Sequence, residues 1–189
     1  MKVSDSKNLK VQTTPFILVD EFLRTSLPNV FAVADVNGLG LMDSMAVAQA
    51  RVAVGAILGK KTRFSQKWVP RCVHTDPQIA SVGWTEEEAA RAGLCAIAHT
   101  QTSSLVTEDQ KSVFDPVPVM FKLLVDAESR KILGVHAIGH HAAELVNTAA
   151  LAIRSETTIE ELDEITFIHP SATEAIQQCS ANLRLLPAG

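Results

Sequence analysis

The chain has 189 residues, with 17 Lys and Arg against 21 Asp and Glu and a formal charge of −4; that balance argues against a nucleic-acid binder working through net charge. Hydrophobic residues at 47% and charged residues at 20% describe a globular core, not a disordered chain. No apolar run reaches the roughly 18 residues of a membrane span, the opening MKVSDSKNLK lacks the apolar block of a secretory signal, and the widely spaced Cys72, Cys95 and Cys179 form neither a disulfide framework nor a zinc site.

A cytoplasmic, reducing setting is therefore expected, with no membrane and no nucleic-acid partner. Residues 1–14 are polar and without period. Phe16–Val19 reads as a short strand. Val30–Ala34 reads as a second, a continuous apolar run of the kind buried on both faces, ending at Asp35. Asn37, Gly38 and Gly40 then mark a turn. A small-residue helix is expected over Ser44–Leu58, with Asp43 as N-cap and Gly59 as its stop. Alanines at positions 46, 48, 50, 53 and 56 let it approach its neighbours closely.

The basic, polar stretch 59–69 marks a change of unit. The expected division is 1–60, a linker at 61–69, and 70–189. Arg71–Thr75 and Ile79–Trp84 read as strands separated by Asp76 and Pro77. Thr85 with Glu88 is a capping box opening a helix that stops at Gly93. Cys95–Thr102 reads as a strand and 103–117 as a loop containing Asp115 and Pro116. Val119–Val125 and Ile132–Ile138 read as a hairpin turning through Asp126–Arg130.

The last third reads as helical. Leu145, Val146, Ala149, Ala152 and Ile153 fall at helical spacing within Ala142–Arg154. Thr158 with Glu161, and Ser171 with Glu174, are two further capping boxes, the second opening a helix to about Leu183. Strands followed by helices without strict alternation give an α+β fold for the larger unit. His140 and His141 lack a third ligand at metal-site spacing and read as structural. The basic run 60–67 reads as a solvated linker.

Three segments together carry a resemblance. LRTSLPNVFAVADVNGLGLMDSMAVAQARVAVGAILG (23–59) resembles the final flavin-binding segment of the class I pyridine nucleotide–disulfide oxidoreductases. HTDPQIASVGWTEEEA (74–89) and KILGVHAIGHHAAELVNTAALAI (131–153) are similar, in order and spacing, to that family's C-terminal dimerisation domain. His169-Pro170 with Glu174 five residues after the histidine matches the family's His-Pro…Glu motif. The implied fold is an antiparallel sheet with helices, preceded by the last strand–helix segment of an α/β FAD-binding domain.

The resemblance implies a FAD-dependent disulfide oxidoreductase, with NAD or NADP as co-substrate, working as a homodimer on a small dithiol or disulfide, or on a lipoyl-bearing substrate. Asp35 matches the aspartate that bonds a ribityl hydroxyl of FAD. Met42, Asp43 and Ala46 fall where a helix N-terminus meets the flavin, an end that favours negative charge. His169 matches the acid–base partner of the other subunit's thiols, oriented by Glu174. Thiol exchange proceeds through the thiolate, so a proton must be taken and returned. Histidine titrates in the right range, and a carboxylate fixes its tautomer.

Read without the family, Asp35 is equally a turn residue, Asp43 an N-cap, and Glu174 the far half of a capping box. Ala34 stands where the family has glycine, and Asp43 where a neutral residue is common. The chain carries no G-x-G-x-x-G and no redox-active cysteine pair, so by itself it is expected to be inactive. Glu144–Asn147 with Ala149–Ala152 looks most like dihydrolipoamide dehydrogenases. A glutathione reductase-like branch is an alternative. A mercuric reductase-like branch is disfavoured by the lack of tyrosine and by the ending LRLLPAG. The rival from another class is a stand-alone dimerisation module without catalysis.

Overall fold

The small-residue run after Met42 forms one helix, α1 (Asp43–Ile57). Gly59 stops it in the left-handed region at φ +79°. The Gly59 N–H reaches the Ala56 carbonyl at 3.1 Å and the Lys60 N–H reaches that of Gly55 at 2.8 Å, the paired closing bonds of a glycine-terminated helix. At the other end Met42, not Asp43, is the N-cap, and it makes no side-chain cap bond. Asp43 is instead the first helical residue, its carboxylate accepting the Ser44 N–H at 2.9 Å, where its charge complements the helix dipole.

This computed structural model describes residue 10 and residues 15–104, 118–169 and 171–185. Most of the loop expected at 103–117, with Asp115 and Pro116, lies outside them, as does Pro170. The chain divides into two units, Met1–Val69 and Pro70–Gly189.

In the first unit neither apolar run before α1 becomes the expected strand. Residues 16–19 hold a single bridged residue, Ile17, whose N–H reaches the Val36 carbonyl at 2.9 Å. Residues 30–34 hold one bridge, Phe31 to Arg24, and then close into a 3-10 turn, Ala34–Asn37. A strand persists only where neighbours pair its N–H and C=O groups along its length; among the described residues this run meets one partner. Leu23, Val52 and Ala53 form the unit's small core, with Val19, Phe31, Val33, Leu39 and Phe64 against it. Residues 61–69 belong to this unit, the Phe64 N–H bonding the Glu21 carbonyl at 2.8 Å.

The second unit is a five-stranded sheet: β1 (Arg71–Val73), β2 (Gln78–Gly83), β3 (Ala96–Ser104), β4 (Pro118–Asp126) and β5 (Ile132–Gly139). Its order is β1-β2-β5-β4-β3, every neighbouring pair antiparallel. The β4–β5 hairpin turns as expected: Asp126 Oδ1 accepts both the Ser129 N–H and its hydroxyl at 2.7 Å, and Arg130 sits at φ +61°. Where β2 leaves β5 the backbones crowd. A Cβ on Gly134 would fall on the Trp84 carbonyl, and one on Gly83, at φ +81°, on that of Leu133.

Capping decides the short helices. The Thr85 hydroxyl accepts the Glu88 N–H at 3.1 Å while the Glu88 carboxylate accepts the Thr85 N–H at 3.0 Å, starting α2 (Glu86–Arg91). Thr158 and Glu161 do the same at 3.2 and 2.9 Å for α4 (Ile159–Asp163). The longer α3 (Ala142–Arg154) packs on β2 and β5, and α5 (Glu174–Arg184) on β3 and β4. One apolar cluster joins sheet and helices, including Phe121, Leu123, Val135, Leu145, Ile153, Ile176 and Leu183. This is the α+β arrangement of antiparallel sheet and helices read from the sequence.

Candidate functional site

The start of α5 is where two expectations meet. Ser171 and Glu174 make half a capping box. Glu174 Oε2 accepts the Ser171 N–H at 2.9 Å, but Thr173 is the N-cap and the Ser171 hydroxyl pairs with that of Thr173 at 2.8 Å. The return bond to the hydroxyl does not form: the Glu174 N–H goes to the Ser171 backbone carbonyl at 3.3 Å. The other carboxylate oxygen, Glu174 Oε1, lies 2.8 Å from His169 Nδ1. One carboxylate thus meets both the Ser171 backbone and the His169 ring.

The protonation states follow. Burial pushes the Glu174 carboxyl up, but the Ser171 N–H, the His169 hydrogen bond and the imidazole's charge outweigh it and hold the group below its ordinary value. At neutral pH Glu174 is ionised and can only accept. The proton between the two therefore belongs to Nδ1, which leaves Nε2 as the proton-accepting nitrogen of the neutral ring. Nε2 has no hydrogen-bond partner among the described residues, and the His169 side chain is 69% exposed against 20% for Glu174. The arrangement is an oriented base with an open face.

In the first unit the other candidates gather between the 3-10 turn and α1. Asp35 lies in the turn, exposed, its carboxylate without a hydrogen bond among the described residues. Gly38 follows at φ +71°. Met42 caps α1, Asp43 opens it, and the Ala46 N–H bonds the Met42 carbonyl at 3.1 Å. A free, exposed carboxylate suits a polyol hydroxyl. The α1 N-terminus already carries the Asp43 charge, so it suits a neutral or weakly anionic carbonyl better than a full anion. These residues fit the ribityl and pyrimidine end of a flavin.

Sequence reasoning missed Gln49, a buried polar residue behind that turn, and read Asn37 as a turn residue without its burial. The signal was present: Gln49 is the polar member of the stripe Met45, Gln49, Val52, Ala53 and Ala56 that α1 buries. The remaining candidates gather no site. His140 Nε2 lies 3.8 Å from Asp76 on the surface, His141 precedes α3, and no metal-binding cluster occurs among the described residues. Burial pushes the Cys179 thiol up to about 12, and burial with the Glu144 charge raises that of Cys72; neither is an activated thiolate. No described helix is long and apolar enough to cross a membrane.

Comparison with known proteins bears on this geometry. The family model described as pyridine nucleotide-disulphide oxidoreductase, dimerisation domain, matches residues 69–180. A dihydrolipoyl dehydrogenase of Chlorobaculum parvum is 37% identical over 166 residues, 87% of this chain and 35% of that protein. A dihydrolipoyl dehydrogenase of Mycobacterium bovis is 34% identical over 163 residues, 85% of this chain and 35% of that protein. The chain thus spans about a third of the length of these relatives. Among solved structures, LpdA from Mycobacterium tuberculosis superposes with a TM-score of 0.79 at 24% identity, over 93% of this chain and 38% of that one. The HOCl-induced flavoprotein disulfide reductase RclA from Escherichia coli gives 0.75 at 23%, over 92% and 40%. These two likenesses establish the fold.

Proposed function

Because the chain belongs to the class I pyridine nucleotide–disulphide oxidoreductases and carries their dimerisation domain, we propose that it supplies the acid–base pair and the dimer contact for dithiol–disulfide exchange on a dihydrolipoamide-like substrate. The observation that carries this reading is the 2.8 Å contact of Glu174 Oε1 with His169 Nδ1. It holds the ring in the tautomer whose open nitrogen, Nε2, accepts a proton.

The chemistry then runs on this chain's residues. A thiol S–H of the partner subunit's active-site dithiol, or of the substrate, gives its proton to Nε2. The resulting thiolate attacks a disulfide sulfur; one S–S bond forms, another breaks, and the departing sulfur leaves as thiolate. The imidazolium, held by Glu174, returns the proton to that sulfur. General acid–base help of this kind contributes ~10²–10⁴-fold. FAD, when bound, supplies the two-electron relay between NAD or NADP and the disulfide. Asp35 would hold a ribityl hydroxyl, with Met42, Asp43 and Ala46 at the pyrimidine edge. Cytoplasmic work as a homodimer completes the reading.

The test is a chimera joining the N-terminal two-thirds of the Chlorobaculum parvum dihydrolipoyl dehydrogenase to this chain. It should oxidise dihydrolipoamide with NAD, and His169→Gln should slow that turnover ~10²–10⁴-fold. A chimera that folds, binds FAD and works equally well without His169 would overturn the reading.

A further inference from the structure

Behind the Asp35 turn lies a buried amide network that the proposed chemistry does not use. Gln49 is fully buried, and Asn37 is 1% exposed. Gln49 Oε1 accepts two bonds of 2.7 Å, from the Ala34 backbone N–H and from Asn37 Nδ2. Asn37 Nδ2 also donates to the Ala32 carbonyl at 3.0 Å, and Asn37 Oδ1 accepts the Leu39 N–H at 3.0 Å. The orientations are therefore set. Asn37 has an acceptor on one side and a donor on the other, and turning the Gln49 amide over would aim its NH₂ at two donors. The arrangement leaves Gln49 Nε2 buried without a partner among the described residues, a cost accepted in exchange for two acceptor bonds.

The network grips a strained place. Ala34 sits at φ +67°, where a Cβ is disfavoured and glycine is the usual occupant. Strain of this kind persists only where the surroundings over-determine it. The Gln49 oxygen binds the N–H of that very residue and, through Asn37, the far end of the turn. Asp35 lies between the two anchor points with its carboxylate exposed and unpaired.

We infer that Gln49 is a positioning residue, whose side-chain oxygen holds the Ala34–Asn37 turn in the conformation that presents the Asp35 carboxylate outward. Among the described residues this one atom makes the hydrogen bonds that tie the turn to α1, beside the Ile17 N–H that bonds the Val36 carbonyl at 2.9 Å. The role of Asp35 toward a flavin rests on the proposed function; the clamp itself does not.

Amide hydrogen exchange on the full chain reads the clamp without any flavin. Gln49→Met keeps the side-chain volume and removes the acceptor. It should speed exchange at Ala34 and Leu39 by about tenfold or more, while Leu58 and Lys60 at the end of α1 stay as slow as before. Gln49→Glu keeps the accepting oxygen and should restore slow exchange at Ala34 and Leu39. Unchanged protection at those two amides in Gln49→Met, or no rescue by Gln49→Glu, overturns the inference. So does loss of protection along all of α1 in Gln49→Met, which would make Gln49 an ordinary fold residue. The flavin reading fails on a different result: a chimera in which Asp35→Ala retains FAD as firmly as the unaltered protein.

Discussion

His169 Nδ1 stands 2.8 Å from Glu174 Oε1, while the second oxygen of the same carboxylate stands 2.9 Å from the Ser171 N–H. Glu174 thus fixes the ring and the entry to α5 together. Orientation of the base is tied to the backbone that carries it.

The two residues should therefore differ in the chimeric enzyme. Glu174→Gln keeps one oxygen for either Nδ1–H or the Ser171 N–H, but its NH₂ group cannot accept from the other, and the negative charge is gone. Turnover with dihydrolipoamide should fall about tenfold, less than the ~10²–10⁴-fold expected for His169→Gln, which removes the proton acceptor itself. Flavin reduction by NADH, followed by stopped-flow, should change little in either variant. Equal losses in both half-reactions would instead indicate a folding defect.

Acid should erase the contribution of Glu174 to stability. Its folded-state value is lowered from an unfolded value of about 4.3, through the Ser171 and His169 bonds that outweigh burial. For a depressed carboxyl the stabilisation is complete above the unfolded value and is lost as pH falls through the folded one. Urea midpoints of the chain and of Glu174→Gln should differ most near neutrality and converge on acidification below that range. A gap that persists undiminished in acid would mean that packing, not charge, is what the glutamate provides.

Local chemistry made much of the fold legible. Thr85 with Glu88, Thr158 with Glu161, and the Asp126–Arg130 turn each act within a few residues, and each forms where the sequence places it. The 16–19 and 30–34 runs show the limit. An apolar run predicts a buried strand, but strand geometry needs a partner on each side; here Phe31 finds one bridge, only Ala32 of 30–34 is buried, and Val30 and Leu18 are exposed. Glu174 was readable in two ways because its carboxylate has two oxygens, and both are used. Gln49 escaped notice because a glutamine in a helix reads as solvated until its neighbours Met45 and Val52 prove buried.

The β2–β5 crossing should tolerate no side chain at Gly134. A Cβ there meets the Trp84 carbonyl, a backbone atom that cannot swing aside, and Trp84 is itself tied by its N–H to the Leu133 carbonyl at 2.9 Å. Overpacking against backbone costs about 1–3 kcal/mol. Gly134→Ala should lower the thermal midpoint by several degrees. Gly93→Ala is the control: its Cβ meets nothing within 4 Å, so it pays only the strain of φ +75°. A Gly134→Ala midpoint at or above that of Gly93→Ala would overturn the steric argument.

The chain purified alone should be colourless. On the proposed reading Asp35 and the α1 N-terminus would serve only one end of a flavin dinucleotide, and the sequence carries no G-x-G-x-x-G for its pyrophosphate. Most of the binding free energy is therefore missing. Gel filtration after incubation with FAD should strip the flavin, read as loss of its visible absorbance from the protein peak. Stoichiometric colour surviving the column would show that the first unit binds far more of the cofactor than its ribityl end.

The chain should still pair with itself. Its helical side leaves Leu151 72% and Ile168 80% exposed. Leu151 lies on α3 opposite the buried Leu145, Val146, Ala149 and Ile153, so the sheet cannot cover it, and Ile168 adjoins His169. A large side chain left bare at Ile168, beside a candidate catalytic residue, suits a contact in which His169 reaches another subunit. A stable pair needs about 800 Å² from each partner, more than these two residues supply, so neighbouring positions on the same side must join them. Sedimentation equilibrium at micromolar concentration should give twice the chain mass. Leu151→Arg places a charge in the contact and should shift the protein to monomer with its circular dichroism little altered, while the thermal midpoint falls by what the contact contributed and no longer rises with protein concentration. A monomer for the unaltered chain would overturn the prediction, and a dimer indifferent to Leu151→Arg would move the contact away from α3.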